Sequence, residues 1–239
     1  MEQVTAVILA GGLGTRLRPA VADRPKVLAE VDGKPFLAYL LDQLISSGLQ
    51  HVVLCTGYLG EQIERTFGER YRSLALAYSQ EPEPLGTGGA LKYALPLLRS
   101  DPILAMNGDS VCMADLQAFY RWYQAHDMTT GALMLTQVDD VGRYGQVQCN
   151  QDAQIVGFTE KGMGQGMGWI NAGIYLLSQR LLRSIPDGRA VSVERELFPH
   201  WLAQGLYGFQ SYGDFIDIGL PKTYFAAADF LQSNRLYIS

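Results

Sequence analysis

Five charged residues have the types and settings that phosphate chemistry calls for: Arg16, Lys26, Asp109, Lys161 and Asp217. Arg16 lies in LAGGLGTRLRP, residues 9–19, where Gly11, Gly12 and Gly14 follow an apolar run. Glycines without a Cβ let backbone N–H groups approach an anion closely. A guanidinium adds a fork of donors matched to phosphate oxygens. Neither named phosphate loop is present. The P-loop pattern is absent, and from Gly12 the dinucleotide fingerprint meets Leu17 where its third glycine belongs. Pro25 and Lys26 follow on the same long loop, and a long loop without structure of its own is more often functional. Two cations and several glycine amides suit a polyphosphate; a solvated loop is the alternative.

Asp109 ends Asn107-Gly108-Asp109 after an apolar run. A carboxylate at a strand end suits Mg²⁺, which is held by one or two carboxylates plus substrate phosphates; an Asx-type turn is the alternative. Asp217 stands inside FIDIG, where burial is costly unless the group is paired or metal-bound. It is a second metal ligand or half of a buried ion pair. The stretch QEPEPLGTGGA, residues 80–90, leads Gly86, Gly88 and Gly89 into a helix whose first N–H groups are free. Gln80 and Thr87 carry groups that can read a base edge, unless this is an ordinary turn capped by Thr87. Lys161, after Glu160, either neutralises a second anion or forms a surface pair. Asn171, within WINAGIY, either satisfies a backbone group or hydrogen-bonds a polyhydroxylated ligand.

The 239 residues are 48% hydrophobic and 18% charged, which places the chain among globular proteins with a sizeable core. A net charge of −5 argues against nucleic-acid or anionic-membrane partners. Cys55, Cys112 and Cys149 are isolated and the three histidines lie far apart, so a zinc site or disulfide framework is not expected. Free buried thiols fit a reducing cytoplasm. No signal peptide or membrane span is read, since no apolar stretch approaches the ~20 residues a span needs. Trp122 is a candidate for either a homo-oligomer interface or the core.

These groups need a frame. Strands are read at 4–10, 52–56, 74–79 and 103–106, alternating with helices at 35–47, 60–67 and 88–98. The second half reads as a helix at 114–126, strands at 131–138, 145–149, 154–159 and 169–177, a helix at 192–203 capped by Ser192, a strand at 206–212 and a helix at 221–232. The strands at 145–149 and 154–159 are close enough for a hairpin. Alternation implies an α/β fold, a Rossmann-like and mostly parallel mixed sheet with helices on both faces. In such sheets ligands sit beyond the carboxyl ends of the strands. The glycine loop, residues 80–89 and Asn107-Gly108-Asp109 all fall at that edge.

Taken in order, Gly11-Gly12-Leu13-Gly14-Thr15-Arg16-Leu17, Pro25-Lys26, Gly86-Thr87-Gly88 and Asn107-Gly108-Asp109 resemble the sugar-1-phosphate nucleotidyltransferase family across essentially the whole chain. Arg143-Tyr144-Gly145, Phe158 with Glu160-Lys161, the run at 170–175 and FIDIG are most similar to D-glycero-D-manno-heptose 1-phosphate guanylyltransferases. Mannose-1-phosphate guanylyltransferases and the related thymidylyl- and uridylyltransferases share most of these motifs. The resemblance implies an enzyme that uses an NTP, GTP favoured, and a sugar 1-phosphate, with Mg²⁺ as cofactor. It implies catalytic roles for Arg16 and Lys26, and Asp109 and Asp217 as metal ligands. Leu9, Gly11, Gly12, Gly14, Thr15, Gln80, Gly86 and Thr87 would hold the nucleotide. Asn107, Tyr144, Gly145, Glu160, Lys161 and Asn171 would hold the sugar phosphate. One domain over 1–239 is expected, with a nucleotide half (1–113), a sugar-phosphate half (114–239) and no C-terminal β-helix. The competing class is a non-catalytic nucleotide-sugar sensor, which the presence of all five charged residues disfavours.

Overall fold

The computed structural model describes residues 1–12, 14–126 and 130–234; Leu13 of the glycine loop lies outside them. The first half runs β1 (Thr5–Leu9), β2 (Glu30–Val31), β3 (Lys34–Pro35), α1 (Phe36–Ser46), β4 (His51–Thr56), α2 (Gly60–Phe67), β5 (Arg70–Tyr71), β6 (Leu74–Gln80), α3 (Gly86–Ala94), β7 (Ile103–Asn107) and β8 (Ser110–Cys112). The second runs α4 (Leu116–Ala125), β9 (Gly131–Val138), β10 (Gln146–Cys149), β11 (Ile155–Thr159), β12 (Gly168–Leu177), α5 (Gln179–Ser184), α6 (Phe198–Trp201), β13 (Leu206–Ser211), β14 (Phe215–Asp217) and α7 (Pro221–Ser233).

Eight strands form one mixed sheet in the order β13-β9-β12-β7-β1-β4-β6-β5. The neighbours β7, β1, β4 and β6 are parallel, β12 is antiparallel to both β7 and β9, and β13 is parallel to β9. Successive strand residues point to opposite faces, so the sheet builds two cores. Ala6, Ile8 and Leu54 pack with Phe36, Leu40, Ile63 and Phe119 from α1, α2 and α4. Val7, Val53 and Ala105 pack with Leu91, Leu181 and Phe198 from α3, α5 and α6. Helices therefore cover both faces, as the alternating elements require.

β4 and β6 lie on one side of β1 and β7 on the other. The chain reverses its direction of progress across the sheet between β1 and β7, which is where α/β sheets open a crevice for ligands.

The differences from the sequence reading have local causes. Asp115 caps α4, its carboxylate accepting from the Ala118 N–H at 2.9 Å, so the helix starts at Leu116 rather than at 114. The third helix begins earlier, at Gly86, and passes into a 3-10 turn over Leu95–Leu97, where Pro96 brings no N–H. The helix read at 192–203 is three pieces: a π turn at Val193–Leu197, α6, and a 3-10 turn at Leu202–Gln204. Pro199 sits inside that span and cannot donate, while Ser192 does cap it through the Arg195 N–H. β10 and β11 form the expected antiparallel hairpin. Trp122 is half-buried and packs against the core, on Phe119 and Phe209. Among the described residues no helix is long and apolar enough to cross a membrane.

Candidate active site

The glycine loop leaves the end of β1 as irregular backbone at residues 10–12 and closes into turns over residues 15–20. Gly14, at φ 59°, starts them: its carbonyl accepts from the Leu17 and Arg18 N–H groups at 2.9 and 3.1 Å. Leu17 is buried and anchors the turn, leaving Thr15 and Arg16 exposed. A Cβ at Gly12 would meet nothing within 4 Å, so no packing holds that position to glycine. The missing Cβ leaves this backbone open to close approach. Gly12→Ala is therefore expected to leave the folding free energy within about 1 kcal/mol of wild type while weakening nucleotide binding. Denaturant unfolding and a nucleotide titration check the two halves separately; unchanged nucleotide affinity would remove Gly12 from the site.

Gly108 follows β7 and donates to the Leu9 carbonyl at 3.0 Å; a Cβ there would lie 2.6 Å from that oxygen. The β1 and β7 ends are thus laced together, and Asp109 emerges beside the loop. β8 leaves Asp109 and pairs with β14, which sets Asp217 opposite Ser110 and brings the Ile218 N–H 2.9 Å from the Asp109 carbonyl. These two short strands carry the two acidic residues into one place.

The charges then interlock. Lys26 Nζ reaches Asp109 Oδ2 at 2.6 Å, with the lysine side chain only 11% exposed and the carboxylate 41%. Asp217 Oδ2 accepts from the Arg143 guanidinium and from the Tyr144 hydroxyl, each at 3.1 Å, and its Oδ1 accepts from the Gly219 N–H at 2.9 Å. Around Gly219 lie Asp217 Oδ1, Lys26 Nζ and the Arg16 guanidinium, at 2.7, 3.5 and 3.8 Å from where a Cβ would stand. Arg16, Lys26, Asp109 and Asp217, spread over two hundred residues of chain, therefore share one site. Burial, and next the charge of Asp217, push the Tyr144 hydroxyl up to about 12, so it stays a donor at neutral pH. Tyr144 braces an acidic residue here.

Other expected site residues also have neighbours within the chain. The Thr87 hydroxyl accepts from the Val193 N–H at 2.8 Å. Gln80 is exposed and lies over Gly60 at the start of α2. The Asn171 side chain donates to the Tyr175 hydroxyl at 3.0 Å and accepts from the Gly173 N–H at 2.8 Å, the backbone-satisfying alternative. Gly86, at φ 67°, is held to glycine twice over, because a Cβ would stand 2.6 Å from the Val191 carbonyl oxygen. Gly86→Ala is expected to cost about 2 kcal/mol or more in stability, a loss that equilibrium unfolding measures; a change under about 0.5 kcal/mol would show that the loop relaxes freely. Gly145, at φ 82°, packs against the Thr159 carbonyl, which places it beside Glu160 and Lys161. Both of those side chains are exposed at the end of β11. Asn107 points its amide at Glu194, 3.4 Å away.

Glu81 is a residue the sequence reading missed. It follows β6, and its Oε1 lies 3.1 and 2.9 Å from the Cβ positions of Gly11 and Gly57, while Oε2 accepts from the Leu85 N–H at 3.2 Å. The carboxylate is half-buried between the glycine loop and the Gly86 turn, and burial holds its carboxyl above the ordinary carboxylate range. The signal in the sequence was an acidic residue directly after a strand end, hidden in EPEP beside Glu83.

Known proteins resemble the chain over nearly its whole length. The chain is 38% identical to the D-glycero-alpha-D-manno-heptose 1-phosphate guanylyltransferase of Aneurinibacillus thermoaerophilus, over 95% of this chain and 98% of that one. It is 37% identical to the mannose-1-phosphate guanylyltransferase of Mycobacterium tuberculosis, over 93% of this chain but 63% of that longer protein. The crystal structure of HddC from Yersinia pseudotuberculosis superposes with a TM-score of 0.85 at 33% identity, over 95% of this chain and 99% of that one. The same protein complexed with GMP-PN gives 0.84. The model of the nucleotidyl transferase family matches residues 5–234, and the chain belongs to that family.

Proposed function

We propose that this protein transfers a guanylyl group from GTP to a heptose 1-phosphate, giving the GDP-sugar and pyrophosphate. The observation that carries the reading is the convergence of Arg16, Lys26 and Asp217 around Gly219, with Asp109 on Lys26. Two cations and two carboxylates at the mouth of a glycine loop suit a phosphoryl centre, where positioning and charge stabilisation supply most of the catalysis. A phosphate oxygen of the sugar phosphate attacks the α-phosphorus in line. The bond to the β-phosphate bridging oxygen breaks, and pyrophosphate leaves with the electron pair. No side chain has to act as nucleophile. The loop amides cradle the triphosphate, Arg16 neutralises charge on the leaving pyrophosphate, and Lys26 neutralises charge at the α-phosphate. Lys161 and its neighbour Gly145 face the incoming sugar phosphate.

Asp109 and Asp217 fit a Mg²⁺ ion. They are two hard oxygen donors, Asp217 on β14 and Asp109 directly before β8, the strand that β14 pairs with. That is the partial shell expected when substrate phosphates complete the coordination. When bound, the ion supplies Lewis-acid stabilisation of phosphate oxygens. Arg143 and Tyr144 hold Asp217, and Lys26 holds Asp109, so both carboxylates are positioned by the chain itself.

Glu81 supports guanine as the base. A carboxylate only accepts. Guanine offers two adjacent donors, N1–H and the 2-amino group, on one edge. Uracil and thymine offer a single N–H between two carbonyls, which a carboxylate repels. Glu81→Gln is expected to lower kcat/KM for GTP roughly 10- to 100-fold, the worth of hydrogen bonds to a charged group, and to raise relative use of UTP and TTP. An unchanged ratio of GTP to UTP would remove Glu81 from base selection. Full-length coverage of the heptose 1-phosphate relative supports that sugar. Mannose 1-phosphate is the second reading, on comparable identity. Mass spectrometry of the product from GTP with each sugar 1-phosphate tests the reading; no GDP-sugar from either would reject it.

A further inference from the structure

We propose that Glu194 reads ring hydroxyls of the bound substrate, accepting hydrogen bonds from a sugar held against Asn107. The proposal rests on the nucleotidyl-transfer reading and adds a residue from a part of the chain that the motifs do not touch. Glu194 lies in the π turn Val193–Leu197. That turn is clamped onto the nucleotide loop: Val191 exchanges hydrogen bonds with Leu85 and Gly88 at 2.9 and 2.8 Å, and the Val193 N–H donates to Thr87. The clamp fixes where the Glu194 backbone stands relative to the loop.

Its neighbour Glu196 has a structural task. Glu196 accepts from the Ser192 N–H at 2.9 Å and pairs with Arg189 at 2.9 Å. Glu194 instead directs its carboxylate at the Asn107 amide, 3.4 Å away, and is exposed. Asn107 ends β7, next to Gly108 and Asp109. Its amide nitrogen lies 3.0 Å from the Cβ position of Gly173, and Gly173 is bonded to Asn171. Glu194 also acts on this cluster electrostatically. Burial, and next the charge of Glu194, raise the hydroxyl of Tyr175, which Asn171 contacts. A carboxylate with spare lone pairs beside the Asn107 amide is the acceptor half of a diol receptor, since a carboxylate accepts at up to about four sites. Vicinal hydroxyls occur on both the acceptor sugar and the ribose of the nucleotide, and the test separates them.

Wild type, Glu194→Ala and Glu194→Gln are assayed with GTP and heptose 1-phosphate, each varied in turn, and with 2′-deoxy-GTP. Wild-type turnover tests the underlying reading; the variants test this inference alone. The expected result is a KM for the sugar 1-phosphate raised roughly ten-fold or more in Glu194→Ala, with kcat, the KM for GTP and the melting temperature nearly unchanged. Glu194→Gln, which keeps one acceptor oxygen, recovers part of the loss. A rise confined to GTP, with lost discrimination against 2′-deoxy-GTP, supports the proposal and assigns the contact to the ribose. Both KM values unchanged in Glu194→Ala, with wild type active, would overturn it. So would a fall in melting temperature with no KM change, since that marks a purely structural residue.

Discussion

Asp109→Asn is expected to lower kcat for pyrophosphate release by roughly 10³-fold or more, the scale seen when a charge stabiliser is removed from a phosphoryl-transfer site. The amide keeps the shape and one acceptor oxygen for Lys26. It loses the charge that a divalent cation needs. Stability should fall by about 1 kcal/mol or less, because the carboxylate is 41% exposed and its pair with Lys26 is screened by water. Loss of turnover with an intact fold separates chemistry from structure, and Mn²⁺ titration in the presence of GTP follows the metal directly. Turnover within ten-fold of wild type would remove Asp109 from the metal site. Asp217→Asn is expected to behave alike, with a further consequence: Arg143 and Tyr144 lose a charged partner.

Lys26→Ala carries the second large effect, a fall in kcat of roughly 10³-fold on the same scale. Lys26 is the least exposed of the cations that meet at Gly219, and it is positioned from both sides. Its stem packs against Gly14 at 3.3 Å from the Cβ position there, and its ammonium is seated on Asp109. An ammonium so held costs little reorganisation when charge develops on the α-phosphate. Lys26→Arg is not expected to rescue it, because a planar fork cannot occupy the place of a compact ammonium 2.6 Å from Asp109. Stopped-flow measurement of a single turnover distinguishes slowed chemistry from slowed product release. Single-turnover rates equal to wild type would place Lys26 outside the chemical step.

The long, strongly patterned elements were legible from sequence. Apolar runs such as TAVIL and HVVLCT are buried on both faces and can hardly be anything but central strands. The helix read at 60–67 has the bounds observed, Gly60–Phe67. The first-half loops fell at the carboxyl edge because alternating β and α elements leave no other arrangement. What stayed hidden was short or long-range. β8 and β14 are three residues each, too brief for any periodicity, yet they bring Asp109 and Asp217 together. α5 is six residues long and is marked mainly by its Ser178 cap. Arg143 carried no expected role and Tyr144 read as a sugar-side residue, because nothing in their own stretch announces Asp217, seventy-odd positions away. Glu81 depended on Gly11 and Gly57 closing around it, a contact that exists only once β1, β4 and β6 are side by side. The partner of Thr87 was hidden for the mirror reason: the Val193 N–H lies in a segment that reads as ordinary helix.

The central claim is guanylyl transfer at the site around Gly219. Its most direct test is pyrophosphate release over a matrix of GTP, ATP, UTP and TTP against heptose, mannose and glucose 1-phosphates, with and without Mg²⁺. The account predicts a clear maximum for GTP with heptose 1-phosphate that vanishes without the cation. A maximum with UTP or TTP would contradict the assignment of Glu81 as the base reader. No release from any pair would contradict catalysis itself.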